Sequence, residues 1–261
     1  MVAKSQIKLI KSLRQKKYRN QHGLFVAEGI KLVRELLQSH FGVYRIFVTD
    51  VSVLEGYDGS GFKGAKNLEG YIDTVESVSE TELRKLSGLT TPNTVLGVFK
   101  IPEVGDFDFS DWILALDDVR DPGNLGTIIR LCDWFGIGHL VCSTKTVDCY
   151  NPKVLQASMG SIARVRIGYT DLAGFLGKAE LPVYGAFMDG ESVYTTKTPE
   201  KGILVLGNEA RGISPEVEAF VDMRISIPKP GGRKERFGKQ TAESLNVATA
   251  SAILLSEIRR G

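Results

Sequence analysis

The strongest constraint on the fold is the alternation of short apolar runs with helix-like segments across the second half of the 261-residue chain. The runs WILAL, HLVCS and ILVL have the length and composition of strands that are buried on both faces, and the segments between them have helical spacing. This alternation predicts an α/β domain with a mostly parallel sheet and helices on both faces. Ligands of such sheets bind beyond the carboxyl ends of the strands, so the residues that follow each strand are the first functional candidates.

The first half of the chain has a different organisation. A basic amphipathic helix with Ile7, Ile10 and Leu13 on one face is followed by short strands and helices, which predicts a smaller α/β domain over residues 1–103. The stretch IPEVGDFDFSD has proline, glycine and four acidic residues without periodicity, which indicates a linker over residues 104–111. The second domain is then predicted over residues 112–261.

The composition is that of an ordinary soluble protein, with 43% apolar and 25% charged residues. No apolar run is long enough to cross a membrane, and the N-terminus lacks the apolar core of a secretory signal, so we expect a cytoplasmic protein with no membrane partner. The three cysteines, Cys132, Cys142 and Cys149, have no metal-ligand spacing. We therefore expect reduced thiols and no metal site.

Two basic segments stand out although the net charge is only +2. The first twenty residues carry seven lysines and arginines and no acid, and a second run, KPGGRKERFGKQ, covers Lys229–Gln240. Such segments often meet phosphate backbones, but each could equally be a solvated helix face or loop. Tyr18, within the first segment, could stack on a nucleobase or pack in the core of the small domain.

Three polar clusters follow three predicted strands, at Asp117–Arg130, Gly207–Ser214 and Ile227–Asn246. Because the carboxyl ends of parallel strands share one edge of a sheet, we expect all three clusters to converge there. The Gly-rich turn of the first cluster, GNLG, spaces its glycines three apart, which does not match the dinucleotide fingerprint, and GxxxxGK[ST] is absent as well. An ordinary nucleotide site is therefore not expected.

The first cluster suits an anion at the start of a helix. Asn124 is predicted to be the N-cap of that helix, with Gly126 and Arg130 near one face and close to the N-terminal end. A cap and a guanidinium in this position suit a phosphate or an oxyanion. Arg130 could instead be a surface residue on a structural helix.

The other two clusters are ambiguous when taken singly. Glu209 is the best-placed carboxylate, but Arg211 could pair with it for purely structural reasons. Ser244 stands near the start of the last predicted helix, where a serine is more often a cap than a catalyst.

Taken together and in order, the three clusters resemble a known family. LDDVRDPGNLGTIIRLCDWFG, LVLGNEARGIS and IP…ESLNVATASAIL are similar to the three motifs of the SpoU (TrmH) family of RNA ribose 2′-O-methyltransferases. KLIKSLRQKKYRNQHGLFVAEGIKLVREL resembles the accessory RNA-binding domain of many members, whose fold is like that of certain small ribosomal proteins. The resemblance implies a trefoil-knotted α/β catalytic domain, S-adenosylmethionine as cofactor, structured RNA as substrate and a homodimer through the catalytic domain.

The resemblance also implies roles for individual residues. Those expected to contact the cofactor are Gly207, Ile227 and Leu245, with their neighbours Leu206 and Pro228. Those that match the catalytic polar set are Asn124, Arg130, Glu209, Ser244 and Asn246. The basic residues expected to bind RNA are Lys16, Lys17, Arg19, Arg233, Lys234 and Arg236. The chain has a longer, Gly-rich and basic connection before Ser244 than the compact family version, which puts the placement of that serine in doubt.

The implied reaction is an in-line attack of a ribose 2′-oxygen on the sulfonium methyl group, which requires alignment and removal of a proton. We expect Arg130 to grip an RNA phosphate and stabilise the developing alkoxide, since a guanidinium does not give up its proton. Glu209 or a water molecule would take the proton. Ribosomal RNA is the favoured substrate, with transfer RNA as an alternative; a non-catalytic RNA-binding protein of the same fold is a further alternative.

Overall fold

The computed structural model describes residues 2–54, 74–229 and 244–260. The chain divides into two compact units, which are Met1–Glu103 together with Asp148–Ala163, and Val104–Val147 together with Arg164–Gly261. Residues 148–163 were predicted within the second domain, but in the structure they group with the first unit. The Gly-rich stretch 55–70 and most of the second basic run lie outside the described residues.

The first unit is built on a four-stranded sheet in the order β1-β4-β2-β3, in which β4 is antiparallel to both neighbours and β2 is parallel to β3. Its helices and strands are α1 (Lys4–Ser12), α2 (Lys16–His22), β1 (Leu24–Glu28), α3 (Ile30–Leu37), β2 (Val43–Val48), β3 (Val75–Ser77), α4 (Glu80–Leu86), β4 (Val95–Lys100) and α6 (Pro152–Ser158), with short 3-10 helices at Val51–Leu54 and Ser161–Ala163.

Local sequence signals account for the helix ends in this unit. The amphipathic α1 buries Ile10 in the core and leaves its lysines exposed, as predicted. At the start of α4, Ser79 Oγ accepts a hydrogen bond from the Glu82 backbone N–H at 3.3 Å, and the Glu82 carboxylate accepts one from the Ser79 N–H at 3.1 Å. This is a reciprocal capping box, whose sequence signature is a serine followed three residues later by a glutamate.

The second unit contains a six-stranded sheet in the order β10-β8-β9-β5-β6-β7, and all five strand pairs are parallel. Its elements are β5 (Ile113–Leu116), α5 (Pro122–Trp134), β6 (His139–Ser143), β7 (Arg166–Thr170), α7 (Leu172–Leu176), β8 (Val183–Ser192), β9 (Ile203–Leu206), α8 (Pro215–Glu218), β10 (Met223–Ser226) and α9 (Val247–Ile258).

The parallel sheet confirms the predicted fold class, and it explains the run of apolar residues in its central strands. Every residue of β5 and of β9 is buried, because helices cover both faces of a parallel sheet. The closing helix α9 packs against α5. Since all pairs are parallel, the residues that follow β5, β9 and β10 emerge at one edge of the sheet. None of the helices in the described ranges has the length and apolar character that a membrane crossing requires.

Candidate active site

Backbone and side-chain hydrogen bonds join the loops that follow the neighbouring strands β5 and β9. The Asp117 carboxylate accepts a hydrogen bond from the Ser214 N–H at 2.8 Å, and the Asn208 amide donates to the Asp118 carbonyl at 2.8 Å. Asp118 has a positive φ of 57°, a conformation that aspartate tolerates better than most residues. The two loops therefore form one connected structure at the carboxyl edge of the sheet.

The loop after β9 is folded back on itself around Asn208. The Asn208 side-chain oxygen accepts hydrogen bonds from the Ala210 and Arg211 N–H groups, and its backbone pairs with Gly212 in both directions. A Cβ atom on Gly207 would lie 2.2 Å from the Gly212 carbonyl carbon. The glycine at 207 is thus required because the loop's own backbone passes close to it.

The N-cap of α5 is Asp121, which corrects the prediction for Asn124. The Asp121 carboxylate accepts a hydrogen bond from the Asn124 N–H at 2.8 Å, and Pro122 occupies the first helical position. Asn124 is consequently the third residue of the helix. Its side chain therefore does not cap the helix, and it can extend toward the other two polar clusters.

Asn124 joins residues from all three clusters. Its Nδ2 donates to Glu209 Oε1 at 2.7 Å, and its Oδ1 accepts from Asn246 Nδ2 at 2.9 Å. Asn246 is in turn the N-cap of α9, because its Oδ1 accepts hydrogen bonds from the Ala248 and Thr249 N–H groups at 2.9 and 3.3 Å. We call Asn246, Asn124 and Glu209 the amide–carboxylate chain.

The direction of every hydrogen bond in this chain follows from the backbone. The N–H groups at the start of α9 can only donate, so they fix Oδ1 of Asn246 toward the helix and its NH₂ group outward. That NH₂ group fixes the oxygen of Asn124, whose own NH₂ group then faces Glu209. The amide–carboxylate chain therefore ends with an N–H group of Asn124 that donates to the carboxylate of Glu209, which can only accept. Glu209 is exposed and lies at the carboxyl edge of the sheet.

Arg130 lies apart from the amide–carboxylate chain. It is the ninth residue of α5, so it stands about 12 Å along the axis from the first helical residue rather than near the N-terminal end. It is six positions beyond Asn124, which places the two on different sides of the helix. The Arg130 side chain is exposed, and no hydrogen bond or ion pair involves it within the described residues.

The residues expected to contact the cofactor differ widely in exposure. Leu206 is 2% exposed and its carbonyl accepts a hydrogen bond from the Asp117 N–H, so its side chain belongs to the sheet core. Gly207 and Ile227 are half-buried and Pro228 is exposed. Leu245, directly before the cap of α9, is 48% exposed, which leaves a large apolar side chain at the site edge.

The structure describes Ser244 and three of the six residues that were predicted to bind RNA. Ser244 is exposed and stands two residues before the N-cap, so it does not begin the helix as predicted. Lys16 and Lys17 are exposed on α2. Arg19 is instead 2% exposed, which corrects its assignment as an RNA contact. The other three, Arg233, Lys234 and Arg236, lie outside the described residues. Among the residues that the structure describes, no group of side chains could hold a metal ion.

Arg19 has a structural role within the first unit. Its Nε and Nη2 both donate to Oδ2 of Asp148, and its Nη1 donates to the Leu13 and Arg14 carbonyls at 2.9 Å. Four of the five N–H donors of this guanidinium are therefore engaged within the first unit. Nothing in the sequence near Arg19, including Leu13 six positions before it, indicated that this arginine would be buried.

Sequence reasoning missed the residues that organise the loops, which are Asp117, Asp121 and Asn208. An aspartate directly before a Pro-Gly pair is a recognisable N-cap with proline at the first helical position, so Asp121 could have been identified. Asn208 directly follows a glycine at the end of a strand, and an asparagine in a turn often bonds to the backbone two residues on. Asp117 had no comparable signal, because its partner, Ser214, is distant in the sequence.

Two family models match the chain in succession. The model of the SpoU rRNA Methylase family matches residues 111–256, and the model of the MRM3-like substrate binding domain matches residues 4–97. The first match covers more than half of the chain and contains all the members of the amide–carboxylate chain.

Similar proteins extend over both units. The chain is 32% identical over 262 residues to the 23S rRNA (guanosine(2553)-2'-O)-methyltransferase RlmP of Bacillus subtilis strain 168. The match covers 98% of this chain and 97% of that protein. A solved TrmH-family structure from Porphyromonas gingivalis is 39% identical, with a TM-score of 0.84 and coverage of 100% of this chain and 99% of the other. The AdoMet-bound rRNA methyltransferase from Sinorhizobium meliloti is 26% identical, with a TM-score of 0.83 and coverage of 100% and 97%.

Proposed function

The chain belongs to the SpoU rRNA methylase family, and from this premise we propose that it transfers a methyl group from S-adenosylmethionine to a ribose 2′-hydroxyl of ribosomal RNA. The observation that carries the proposal is the amide–carboxylate chain, which unites residues separated by 122 and 85 positions in the sequence. The name of the RlmP relative, which is similar over almost the full length, favours ribosomal RNA over transfer RNA.

The carboxyl edge of the sheet fits the proposed cofactor. S-adenosylmethionine supplies the electrophilic methyl group when it is bound. Gly207 and Ile227 follow strands on either side of β8, and Leu245, directly before the N-cap of α9, offers an exposed apolar side chain. A cofactor with an adenine ring and a zwitterionic tail suits a site of apolar side chains and loop backbone. The AdoMet-bound relative from Sinorhizobium meliloti, which has the same fold, supports this assignment.

Glu209 is proposed to accept the proton of the ribose 2′-hydroxyl. Hydrogen bonding to Glu209 in the described part of the chain is confined to Oε1, where Asn124 donates. The second oxygen, Oε2, can therefore receive a proton from substrate. Asn124 holds the carboxylate of Glu209 in one orientation, and Asn246, the N-cap of α9, holds Asn124 in turn. The orientation of the proposed base therefore depends on the N-terminus of α9.

Arg130 is proposed to bind an RNA phosphate next to the reacting ribose. The guanidinium keeps its positive charge and offers paired N–H donors to a phosphate. Its exposure, and its distance along α5 from the amide–carboxylate chain, suit contact with a neighbouring nucleotide or with a site completed by a second copy of the chain. Homodimer formation through the second unit, the trefoil knot and a cytoplasmic location are part of the same proposal.

The first unit is proposed to bind the RNA. The match to a substrate binding domain over residues 4–97 supports this role. The exposed lysines of α1 and α2, which are Lys4, Lys8, Lys11, Lys16 and Lys17, provide positive charge for the phosphate backbone. Basic residues of the 229–240 segment are proposed to add to this charge.

The proposal is tested by combining a methylation map with a defined reaction. Ribose methylation of total RNA is mapped in cells with and without the gene, and the purified protein is then given labelled S-adenosylmethionine and a transcript that contains the site lost in the deletion strain. Transfer should occur, and a transcript with a 2′-deoxynucleotide at that position should accept no label. Methylation of the deoxy transcript would mean that a base is modified. An unchanged map would favour the non-catalytic RNA-binding alternative, and a lost site in transfer RNA would change the substrate.

A further inference from the structure

The chain turns sharply where strand β6 ends, beside the loop that follows β5. The Thr146 N–H donates to the Ser143 carbonyl at 3.0 Å, which closes a four-residue turn. Because β6 is parallel to β5 and Cys142 is level with Leu116, this turn emerges at the carboxyl edge of the sheet, as the amide–carboxylate chain does. We call residues 143–147, with the sequence STKTV, the β6 turn.

Two hydroxyl groups of the β6 turn are buried. Ser143 is 7% exposed and Thr146 is 2% exposed. Their oxygens, Ser143 Oγ and Thr146 Oγ1, lie 3.2 Å apart. A buried hydroxyl group needs hydrogen-bond partners, because its removal from water is otherwise costly. The further partners of this pair are backbone groups of the loop after β5.

The direction of each hydrogen bond in this pair follows from the backbone. Thr146 Oγ1 lies 3.2 Å from the Leu116 carbonyl, which can only accept, so the threonine proton is directed there. Ser143 Oγ must therefore donate to Thr146 Oγ1. The Asp118 N–H, which can only donate, lies 2.9 Å from Ser143 Oγ. Each hydroxyl group thus donates one hydrogen bond and accepts one.

A third contact joins the β6 turn to the same loop through the backbone. The Val147 N–H donates to the Val119 carbonyl at 2.9 Å, and the Val147 carbonyl accepts from the Tyr169 hydroxyl at 2.6 Å. The β6 turn therefore holds the loop after β5 at three backbone groups, which are the Leu116 carbonyl, the Asp118 N–H and the Val119 carbonyl.

Asp118, at the centre of these contacts, has a conformation that is uncommon for a residue other than glycine. Its φ of 57° lies in the left-handed region. Ser143 accepts from its N–H, and its carbonyl accepts from the Asn208 amide at 2.8 Å. Such a conformation persists only where the surrounding structure determines it, and residues of this kind cluster at functional sites. The hydrogen bonds on both sides of Asp118 provide that determination.

Both ends of the Asn124–Glu209 hydrogen bond depend on Asp118. Asn124 follows Asp118 by six positions in the same loop and helix start. The Asp118 carbonyl also holds the side chain of Asn208, which is the residue directly before Glu209. A rotation of the peptide groups beside Asp118 would therefore move the donor and the acceptor relative to each other. A displacement of about 1 Å in a catalytic group can lower a rate roughly 100-fold.

We propose that Ser143 and Thr146 are positioning residues of the methyl-transfer site, which hold Asp118 in its left-handed conformation and thereby align Glu209 with the ribose 2′-hydroxyl. This inference rests on the proposed function, because it requires Glu209 to take the proton during methyl transfer. None of the three sequence clusters contains either hydroxyl residue. The inference adds the end of strand β6 to the elements that build the site.

Steady-state kinetics of the full chain with the substrate transcript test the inference. Thr146→Val keeps the shape of the side chain and removes its hydrogen bonds, so kcat should fall about 10- to 100-fold. Thr146→Ser keeps the hydroxyl group and should retain most of the rate. Ser143→Ala removes the acceptor of the Asp118 N–H and should also lower kcat. This smaller change carries the test if Thr146→Val does not fold.

Ser158→Ala is the matched control for Ser143→Ala. Ser158 is fully buried, and its hydroxyl group donates to the Leu155 carbonyl at 2.8 Å in α6 of the first unit. Its removal should leave kcat unchanged. Urea unfolding of all variants measures the accompanying change in stability. Affinity for the transcript, measured by filter binding, should be the same in all of them, because the substituted side chains are buried.

A double-variant cycle tests whether the hydroxyl pair acts through Glu209. Glu209→Gln already lacks the proposed base, so Thr146→Val should lower kcat much less in that background than in the unmodified protein. Additive losses would mean that the hydroxyl pair does not act through Glu209, and they would overturn this part of the inference.

The remaining outcomes separate this inference from the proposed function. If the unmodified protein transfers no methyl group to the transcript, the proposed function fails and the inference fails with it. If transfer occurs and Thr146→Val or Ser143→Ala loses stability at an unchanged kcat, the positioning role is overturned while the proposed function stands. Equal losses of rate in Thr146→Ser and Thr146→Val would overturn the role of the hydroxyl group.

Discussion

The Asn124 amide donates a hydrogen bond of 2.7 Å to the Glu209 carboxylate, although the two residues are 85 positions apart. The donor direction is set from Asn246, whose oxygen is committed to the start of α9. Among the described residues, Asn124 donates to one oxygen of this carboxylate, and the other oxygen accepts no hydrogen bond. This relationship leads to separate predictions for the donor and for the acceptor.

Replacement of the donor should disable the site without unfolding the protein. Asn124→Asp puts a second carboxylate beside Glu209 and removes a hydrogen bond to a charged group, a loss of about 1.5–3 kcal/mol that corresponds to roughly 10- to 150-fold in rate. Methyl transfer at neutral pH should fall by this factor or more. It should recover in part as the pH is lowered, because one proton shared by the two carboxylates restores a donor.

A matched asparagine provides the control for this change. Asn151 is the N-cap of α6, and its side chain accepts a hydrogen bond from the Lys153 N–H. Aspartate caps a helix as well as asparagine does, so Asn151→Asp should leave both the rate and its pH dependence unchanged. An Asn124→Asp rate that shows no pH-dependent recovery would contradict the proposed pairing with Glu209.

The acceptor is predicted to act on the proton. Glu209→Gln keeps an oxygen that can accept from Asn124 but cannot take a proton, so kcat should fall about 10²- to 10⁴-fold while the affinity for S-adenosylhomocysteine stays the same. Steady-state rates across pH, with calorimetry for the ligand, distinguish the possibilities. A loss of less than about tenfold with an unchanged pH profile would mean that Glu209 only orients Asn124.

The sequence predicted the sheet and the convergence of its loops well, because both follow from local patterns. Parallel strands were visible as fully apolar runs, and their shared direction predicted the sheet edge at which Glu209 and Asn246 both hydrogen-bond to Asn124. The details of the helix starts were less accessible. Asn124 and Asp121 are both good caps, and only the position of Pro122 decides between them.

Features that depend on long-range register could not be read from the sequence. Residues 186–190 of β8 have no partners in β10, because Gly185 and Glu191 pair with consecutive residues of that strand. No periodicity in the sequence AFMDG indicates this break in register. Arg19 was assigned to RNA because it stands in a basic segment, but its partner, Asp148, is 129 positions away. A charged residue is solvated by default, and only the folded structure reveals the rare partner that buries it.

Arg130 should be required for its geometry and not only for its charge. Arg130→Lys keeps the positive charge but loses the paired donors, so RNA affinity should change little while kcat falls about 10-fold or more. Filter binding to the substrate transcript and single-turnover rates separate the two quantities. A near-normal rate with intact RNA binding would exclude a bidentate grip on phosphate. Arg120→Lys, at an exposed arginine that pairs with Asp118 in the same loop region, is the comparison for general effects of such a change.

Arg19 should matter for stability rather than for RNA binding. Its side chain is 2% exposed and that of Asp148 is 11% exposed, so removal of the arginine leaves a carboxylate enclosed without its cation. Arg19→Ala should lower the free energy of unfolding by about 3–5 kcal/mol, the usual cost of breaking a buried ion pair from one side. Lys17→Ala on the same helix should change stability little and should reduce RNA affinity. Denaturant unfolding and RNA titration of both variants test this reversal of roles.

His139, the first residue of β6, should make stability depend on pH near neutrality. Burial lowers its pKa below the usual 6.5, the nearby Arg166 lowers it further, and Asp108 opposes the shift. The unfolded chain therefore takes up a proton at a higher pH than the native protein does, so stability is retained above about pH 6.5 and declines as the pH falls below it. The His139 Nδ1 atom is buried and has no hydrogen-bond partner among the described residues, so no hydrogen bond at this atom stabilises the protonated ring. His139→Phe preserves an aromatic ring beside Phe107, whose centroid is 5.9 Å away, and removes the titrating group.

Urea unfolding at pH 7.5 and 5.5 should show a smaller loss of stability on acidification for His139→Phe than for the unmodified protein. The other two histidines, His22 and His40, are present in both proteins, so their contributions cancel in the comparison. Equal losses in the two proteins would exclude His139 as the origin of the pH dependence.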